Sequence, residues 1–179
     1  MRLFVALDVG SDAKDYLFSL KKSVGNSYAK INWVAKKNLH LTLKFIGEVP
    51  DSDVVKIKAA LKEIKFENFK LSLKSLGVFP DENFSRVLWV GLEPEVYVIK
   101  LQKLIDEALI GYGRQETEFK CHLTIGRIKV VKDKKKFLET IRKIKVEELI
   151  SNVNNFRLYK STLTKDGPVY EVLEAYSLE

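Results

Sequence analysis

The sequence predicts an α+β fold built from antiparallel sheets with helices packed on their outer faces. Stretches with strand character come in pairs separated by amphipathic helical stretches, a rhythm that suits antiparallel pairing better than a doubly wound parallel sheet. A four-residue string occurs twice, His40-Leu41-Thr42-Leu43 and, 82 residues later, His122-Leu123-Thr124-Ile125, each among strand-like neighbours and shortly ahead of a helix. The chain has 179 residues, 46% hydrophobic and 31% charged, and no linker-like Pro, Gly or Ser tract divides it, which suits one domain with a core of its own or two small sheets sharing one. The repeat reads as a duplication that has drifted, inside a single domain 1–179 whose lobe boundaries the sequence does not mark.

Arg2 to Asp8 is apolar between charged ends, which predicts a strand central in its sheet. Ser11 or Asp12 caps a helix running to Val24, with Leu17, Leu20 and Val24 on one face and Gly25-Asn26 as its stop. Tyr28 to Val34 and Leu39 to Ile46 read as two strands joined by the polar turn Ala35-Lys36-Lys37, and the second carries the first motif. Gly47 and Pro50 end it. Asp51 or Ser52 then caps a helix with Val54, Ile57, Leu61 and Ile64 on one face. Asn68 to Phe79 and Arg86 to Leu92 are strands about the turn Pro80-Asp81-Glu82-Asn83. Glu93-Pro94-Glu95 opens a helix whose apolar stripe is Val98, Leu101, Leu104, Ile105 and Leu109, stopping at Gly111 to Gly113. The strand with the second motif follows, then a basic helix from Asp133 to Lys145. Asn152 to Thr164, the turn Lys165 to Pro168 and Val169 to Leu178 close the chain as a hairpin.

The formal charge of +7 and a pI near 9.3 favour an anionic partner, nucleic acid above all, although Lys residues on helical stretches such as Lys132 to Lys145 are explained by a solvated face. The single Cys121 excludes an internal disulfide and makes a reducing compartment the default. One position before His122, it faces away from the motif and packs. Met1 to Asp8 is too short and too soon charged for a signal peptide, and no run approaches a membrane span, so a cytoplasmic protein without membrane contact is the simplest expectation, a monomer by default.

His40 and His122 are the only histidines. With six Thr in the chain, the odds that both histidines carry one at i+2 by chance are about one in a thousand. A strand alternates faces with period two, so each His shares a face with its Thr. Each His can hold or release a proton near neutral pH and each Thr hydroxyl can donate to an oxyanion. Two copies supply one acid, one base and two donors. That set suits displacement at phosphorus, where attacking and leaving oxygens lie roughly in line and each needs its own proton-transfer group. A metal hydrolase would need three or more converging ligands, and neither motif contains an Asp or Glu. Neither metal nor cofactor is expected.

The paired His-x-Thr-x motifs resemble the signature of the 2H phosphoesterases. The longer strings His40 to Gly47, Arg86-Val-Leu-Trp89, His122 to Arg127, Ser161 to Tyr170 and Arg2 to Leu7 look like its RNA 2′,3′-cyclic phosphodiesterase branch, also called 2′-5′ RNA ligase. The resemblance runs from the first strand to the last. It implies two similar lobes, each an antiparallel sheet, related by a pseudo-twofold with the site in the cleft between them. It implies metal-independent opening of a terminal 2′,3′-cyclic phosphate to a 2′-phosphate, together with reversible 2′-5′ ligation of RNA ends. The implied partner is RNA with 2′,3′-cyclic phosphate ends, tRNA fragments being one candidate source. Carried over by the motif, His40 is the general acid at the departing 3′ oxygen, His122 is the general base that activates water, and Thr42 and Thr124 bind the non-bridging oxygens. The residues alone leave acid and base interchangeable.

Phe45 and Arg127 both stand five positions after a motif histidine, an odd offset that turns them away from it in a regular strand. A substrate role, Phe45 stacking on a terminal base and Arg127 reaching phosphate, therefore requires the strand to end or bulge, which Gly47 and Gly126 permit. Lys44 and Lys120 share parity with the histidines and are expected to face RNA or solvent. Trp89 reads as core, and Gly167-Pro168 as a turn without chemistry. The reading from another class is a non-catalytic RNA-end-binding module using the same basic cleft.

Overall fold

The computed structural model describes residues 1–165 and 167–179, so Asp166 of the expected C-terminal turn lies outside the described residues. In chain order the elements are β1 (Arg2–Leu7), α1 (Ser11–Val24), β2 (Ala29–Trp33), β3 (Leu41–Glu48), α2 (Asp51–Lys62), β4 (Phe69–Phe79), β5 (Val87–Glu93), α3 (Glu95–Ala108), β6 (His122–Val131), α4 (Lys134–Lys143), β7 (Ile150–Val153), β8 (Asn155–Thr164) and β9 (Gly167–Ser177). They form two sheets, ordered β3-β1-β8-β9 and β2-β6-β5-β4-β7, and every pairing is antiparallel. The α+β expectation holds, with one motif strand in each sheet.

Leu3, Phe4, Val5, Ala6 and Leu7 are all buried, so β1 lies between two partners as its apolar run demands. Ala13, Leu17, Leu20 and Val24 form the covered face of α1, as Val54, Ile57 and Leu61 do for α2. Each such Leu contributes about 1.5–3 kcal/mol by leaving water. The stripe of α3 departs from expectation at Leu104, which stays 37% exposed while Gln102 and Asp106 go under. Asp133 caps α4 as its type predicts, its carboxylate accepting from the Lys136 amide. The α1 and α2 caps are instead Gly10 and Pro50, so Ser11 and Asp51 begin those helices.

Two joins differ from the reading of the sequence. β2 and β3 do not form a hairpin: β2 pairs with β6 and β3 with β1. The linking segment has no Asn-Gly or Asp-Gly to close a tight turn. A single 3-10 turn over Lys36–Asn38 carries the chain from one sheet to the other. The strand expected over Asn152 to Thr164 is likewise two, β7 on the edge of the five-stranded sheet and β8 inside the four-stranded one, with the break at Asn154. Sheet membership therefore cuts across sequence order.

The four-stranded sheet is curled. Asn38 lies just before β3 on one edge, yet its side-chain amide donates to the Pro168 carbonyl, 2.9 Å away, at the start of β9 on the opposite edge. The tip of the β8–β9 hairpin thus folds back over β1. There Phe4, Ala6 and Tyr159, with Tyr170 packed against them, make a small apolar cluster separate from the main core. The main core draws on both sheets and all four helices.

Candidate active site

His40 stands at the entry to β3, directly after the 3-10 turn, with its Nδ1 2.7 Å from the Asn38 carbonyl and its Nε2 3.1 Å from Thr42 Oγ1. His122 opens β6 and repeats the first of these contacts, Nδ1 lying 2.7 Å from the Lys120 carbonyl. A carbonyl oxygen only accepts, so Nδ1 carries a proton in both rings and Nε2 is the nitrogen that titrates. Each acceptor is the backbone two residues upstream. The two motifs thus set the same tautomer by the same local device. Cα atoms of β3 and β6 come within 8 Å of each other, although the strands belong to different sheets.

The condition on Phe45 and Arg127 is met by bulges. On β3, Thr42 pairs with Ala6 and Lys44 with the adjacent Val5, leaving Leu43 as the extra residue. On β6, Thr124 pairs with Trp89 and Gly126 with the adjacent Leu88, leaving Ile125 extra. Both bulges fall three positions after the histidine and reverse the parity of everything beyond. Phe45 and Arg127 are consequently exposed on the Thr side of their strands, Phe45 at 69%. Phe45 lies 6.4 Å, ring to ring, from Phe4.

The same bulge removes Lys44 from the expected surface. Only 4% exposed, it turns inward to an ion pair with Asp106 of α3 and donates to the Arg114 carbonyl, 3.2 Å away. Asp106 also accepts from the Glu116 amide. Lys44 thereby ties β3 to the loop after α3, where Gly113 approaches so closely that an added Cβ would lie 2.2 Å from the Phe45 carbonyl. Gly113 also has φ +70°, which favours glycine. Lys120 stays exposed, with its ammonium 5.5 Å above the Phe79 ring.

Aromatic rings enclose both histidines. Phe4 at 4.9 Å and Tyr170 at 5.3 Å, nearly perpendicular, contact His40, and Tyr159 stacks on Phe4. His122 meets Phe79 edge-on at 4.8 Å and Trp89 at 6.4 Å. Trp89, read as core, is half-buried beside the motif because it pairs with Thr124 and its ring lies across the bare backbone of Gly77. Burial lowers the pKa of both histidines. For His40 the Asn38 carbonyl opposes this, Lys14 lowers it further and Asp8 raises it; for His122 the Lys120 carbonyl alone opposes. Asp8 is shared by Lys14 at 2.5 Å and Arg157 at 2.7 Å. Cys121 points into the core as its parity predicted, and burial pushes its thiol up to about 12.

Sequence reasoning missed Phe4, Phe79, Tyr159 and Tyr170, and with them the part played by Asn38. Phe4 sits in an unbroken apolar strand, where alternation gives no facing. The tyrosines reach His40 only because the sheet curls. Among the described residues no three His, Cys, Asp or Glu side chains come together as a metal-ligand group, and no helix is long and apolar enough to cross a membrane.

Two sheets that each present a histidine and a threonine on abutting strands define the two-histidine class of phosphoesterases. The LigT like Phosphoesterase family model matches residues 7–89 and again residues 90–170, and the chain belongs to that enzyme family. The two matches reproduce the duplication read from the repeated motif. The RNA 2′,3′-cyclic phosphodiesterase of Methanocaldococcus jannaschii is 38% identical over 98% of this chain and 100% of its own. The protein of that name from Archaeoglobus fulgidus is 34% identical over 98% and 99%. Among solved structures, TT0787 of Thermus thermophilus superposes with a TM-score of 0.82 at 26% identity, covering 99% of this chain and 98% of that one.

Proposed function

We propose that this protein hydrolyses RNA 2′,3′-cyclic phosphate ends to 2′-phosphomonoesters, without a metal, by acid/base catalysis shared between His40 and His122. The observation that carries the reading is the duplicated tautomer device, which holds Nδ1 on a backbone carbonyl and leaves Nε2 to titrate on each of two abutting strands. The names of the relatives supply the substrate class.

The mechanism follows from the groups present. Neutral His122 takes a proton from water at Nε2 as the water oxygen attacks phosphorus opposite the 3′ oxygen. The P–O3′ bond breaks, and protonated His40 delivers its Nε2 proton to the departing oxygen, leaving the phosphate on the 2′ oxygen. Thr42 and Thr124 hydroxyls donate to the non-bridging oxygens as charge builds there. Exchange with solvent resets both rings. A 5′-hydroxyl end in place of the attacking water gives 2′-5′ ligation by the same steps, since His122 takes its proton, its oxygen bonds to phosphorus and the P–O3′ bond breaks; run backwards, these steps cleave a 2′-5′ linkage to the cyclic end. Phe45 supplies a stacking face for the terminal base and Arg127 a cation for phosphate. The acid role of His40 rests on the family resemblance, since the same Nδ1 contact leaves Nε2 to titrate in both rings.

The test is single-turnover incubation of EDTA-treated protein with a short RNA ending in a 2′,3′-cyclic phosphate, separating 2′- from 3′-phosphate products. A 2′-phosphate that disappears in His40→Ala and in His122→Ala is the expected result. RNA that binds and stays cyclic would instead identify an RNA-end-binding module. The same preparation on a sizing column checks the monomer.

A further inference from the structure

We infer that Arg2, Arg127 and Tyr170 form a second anion subsite at the mouth of the cleft, which takes the phosphodiester on the 5′ side of the terminal nucleotide. The inference rests on the proposed cyclic-phosphate reaction. It gives the protein a means of preferring RNA ends to free cyclic mononucleotides.

The register of the curled sheet assembles the site. β1 and β8 pair without interruption from Leu3 opposite Lys160 to Ala6 opposite Arg157. Period two therefore puts Arg2 on the face of Phe4, the face whose ring meets His40 and Tyr170. One step beyond Leu3 and Lys160, Arg2 comes level with Ser161, and Ser161 pairs with Tyr170 on β9. Arg2, Ser161 and Tyr170 thus form a cross-strand row at the outer end of the face. Arg127 joins from the other sheet, turned to the Thr124 side by the β6 bulge. Burial raises the pKa of the Tyr170 hydroxyl, and the charges of Arg127 and Arg2 both pull against that rise.

The chemistry of the three groups fits a phosphodiester. Two guanidiniums and a phenol offer donors in excess, and among the described residues neither Arg2 nor Arg127 takes part in a salt bridge; Glu48, opposite Arg2 on β3, instead lies 4.0 Å from the Met1 amine. Arg157 and Arg142, by contrast, are held by Asp8 and Glu82. The adjoining row holds Phe45 opposite Phe4. A terminal base on Phe45 therefore brings its nucleotide's 5′ phosphate toward Arg2 while the cyclic phosphate lies between the His-Thr pairs. A cyclic mononucleotide lacks that second anion.

The experiment compares kcat/KM for a dinucleotide ending in a 2′,3′-cyclic phosphate with kcat/KM for adenosine 2′,3′-cyclic phosphate. In Arg2→Gln the dinucleotide-over-mononucleotide ratio falls roughly tenfold, mainly through KM for the dinucleotide. The slope of log affinity against log salt for the 2′-phosphate dinucleotide product becomes shallower by roughly 0.7. Tyr170→Phe moves the ratio the same way by less. Lys62→Gln, which removes one exposed charge at the end of α2, keeps the wild-type ratio. A ratio in Arg2→Gln equal to wild type overturns the subsite. Product binding separates the two readings: if wild type turns over no cyclic substrate, yet Arg2→Gln weakens dinucleotide binding, the reaction is wrong and the anion subsite stands.

Discussion

The two motif environments share their backbone and differ in almost everything around it. In both, a carbonyl two residues upstream fixes the imidazole, and a bulge three residues downstream turns the next side chains over. The position after the bulge then diverges. On β3 it holds Lys44, which reaches into the core to Asp106; on β6 it holds Gly126, where an added Cβ would meet Ile31 Cγ2 at 2.6 Å. His40 has three aromatic neighbours, two nearby charges and the Asn38–Pro168 link to the hairpin, whereas His122 has two aromatic neighbours and no charged group shifting its pKa. What the two copies share is the carbonyl contact that leaves Nε2 to titrate. What drifted is the packing that holds it, which can be solved in more than one way.

If the shared geometry is catalytic, the two histidines are equivalent in importance despite their surroundings. His40→Ala and His122→Ala each lower the single-turnover rate about 10²–10⁴-fold, and the double variant loses little more than either alone. A large loss in one with wild-type rates in the other would break the pairing. Lys44 tests the divergent half. Lys44→Ala leaves Asp106 buried and unpaired, costing about 3–5 kcal/mol in urea unfolding, most of which Lys44→Met with Asp106→Leu restores. A cost near zero would mean that β3 holds its bulge without the pair. Thr42→Val and Thr124→Val sharpen the comparison, each reducing kcat on the order of ten- to a thousand-fold with little change in KM. Asn38→Ala cuts the link found only beside His40 and costs about 1–3 kcal/mol, with faster amide exchange in the β8–β9 hairpin. Exchange unchanged there would show that Tyr170 is held by its rings alone.

The pH dependence separates the environments most finely. Both folded pKa values lie below the unfolded value near 6.5, so the native state binds fewer protons and stability is lost as pH falls through 6.5 toward the folded values. For kcat/KM, which reports the free enzyme, both limbs of the bell fall on the acid side of about 6.5. The kcat profile moves upward, because a bound phosphate anion favours both imidazolium ions. Asp8→Asn shifts the limb belonging to His40 and leaves that of His122 in place, which assigns each limb to its histidine. Equal movement of both limbs would contradict the local charges as the cause.

The sequence by itself determined the candidate site residues and most of the elements. A repeated His-x-Thr in the only two histidines, apolar stripes at helical spacing and alternating strands all depend on neighbours a few positions away, and such local periodicities are written in the chain. It also stated the condition for Phe45 and Arg127 without being able to meet it. The tertiary structure decided which residues after each motif share the threonine's side of the strand, because one extra residue in a bulge inverts parity, and a bulge exists only relative to a partner strand. For that reason Lys44, assigned to the surface by parity, lies in the core; Trp89, assigned to the core, lies beside the site because it pairs with Thr124. It decided as well that Tyr170, 130 residues after His40, comes to rest against it. That contact depends on the curl of a whole sheet, a property of long-range pairing that no local pattern carries.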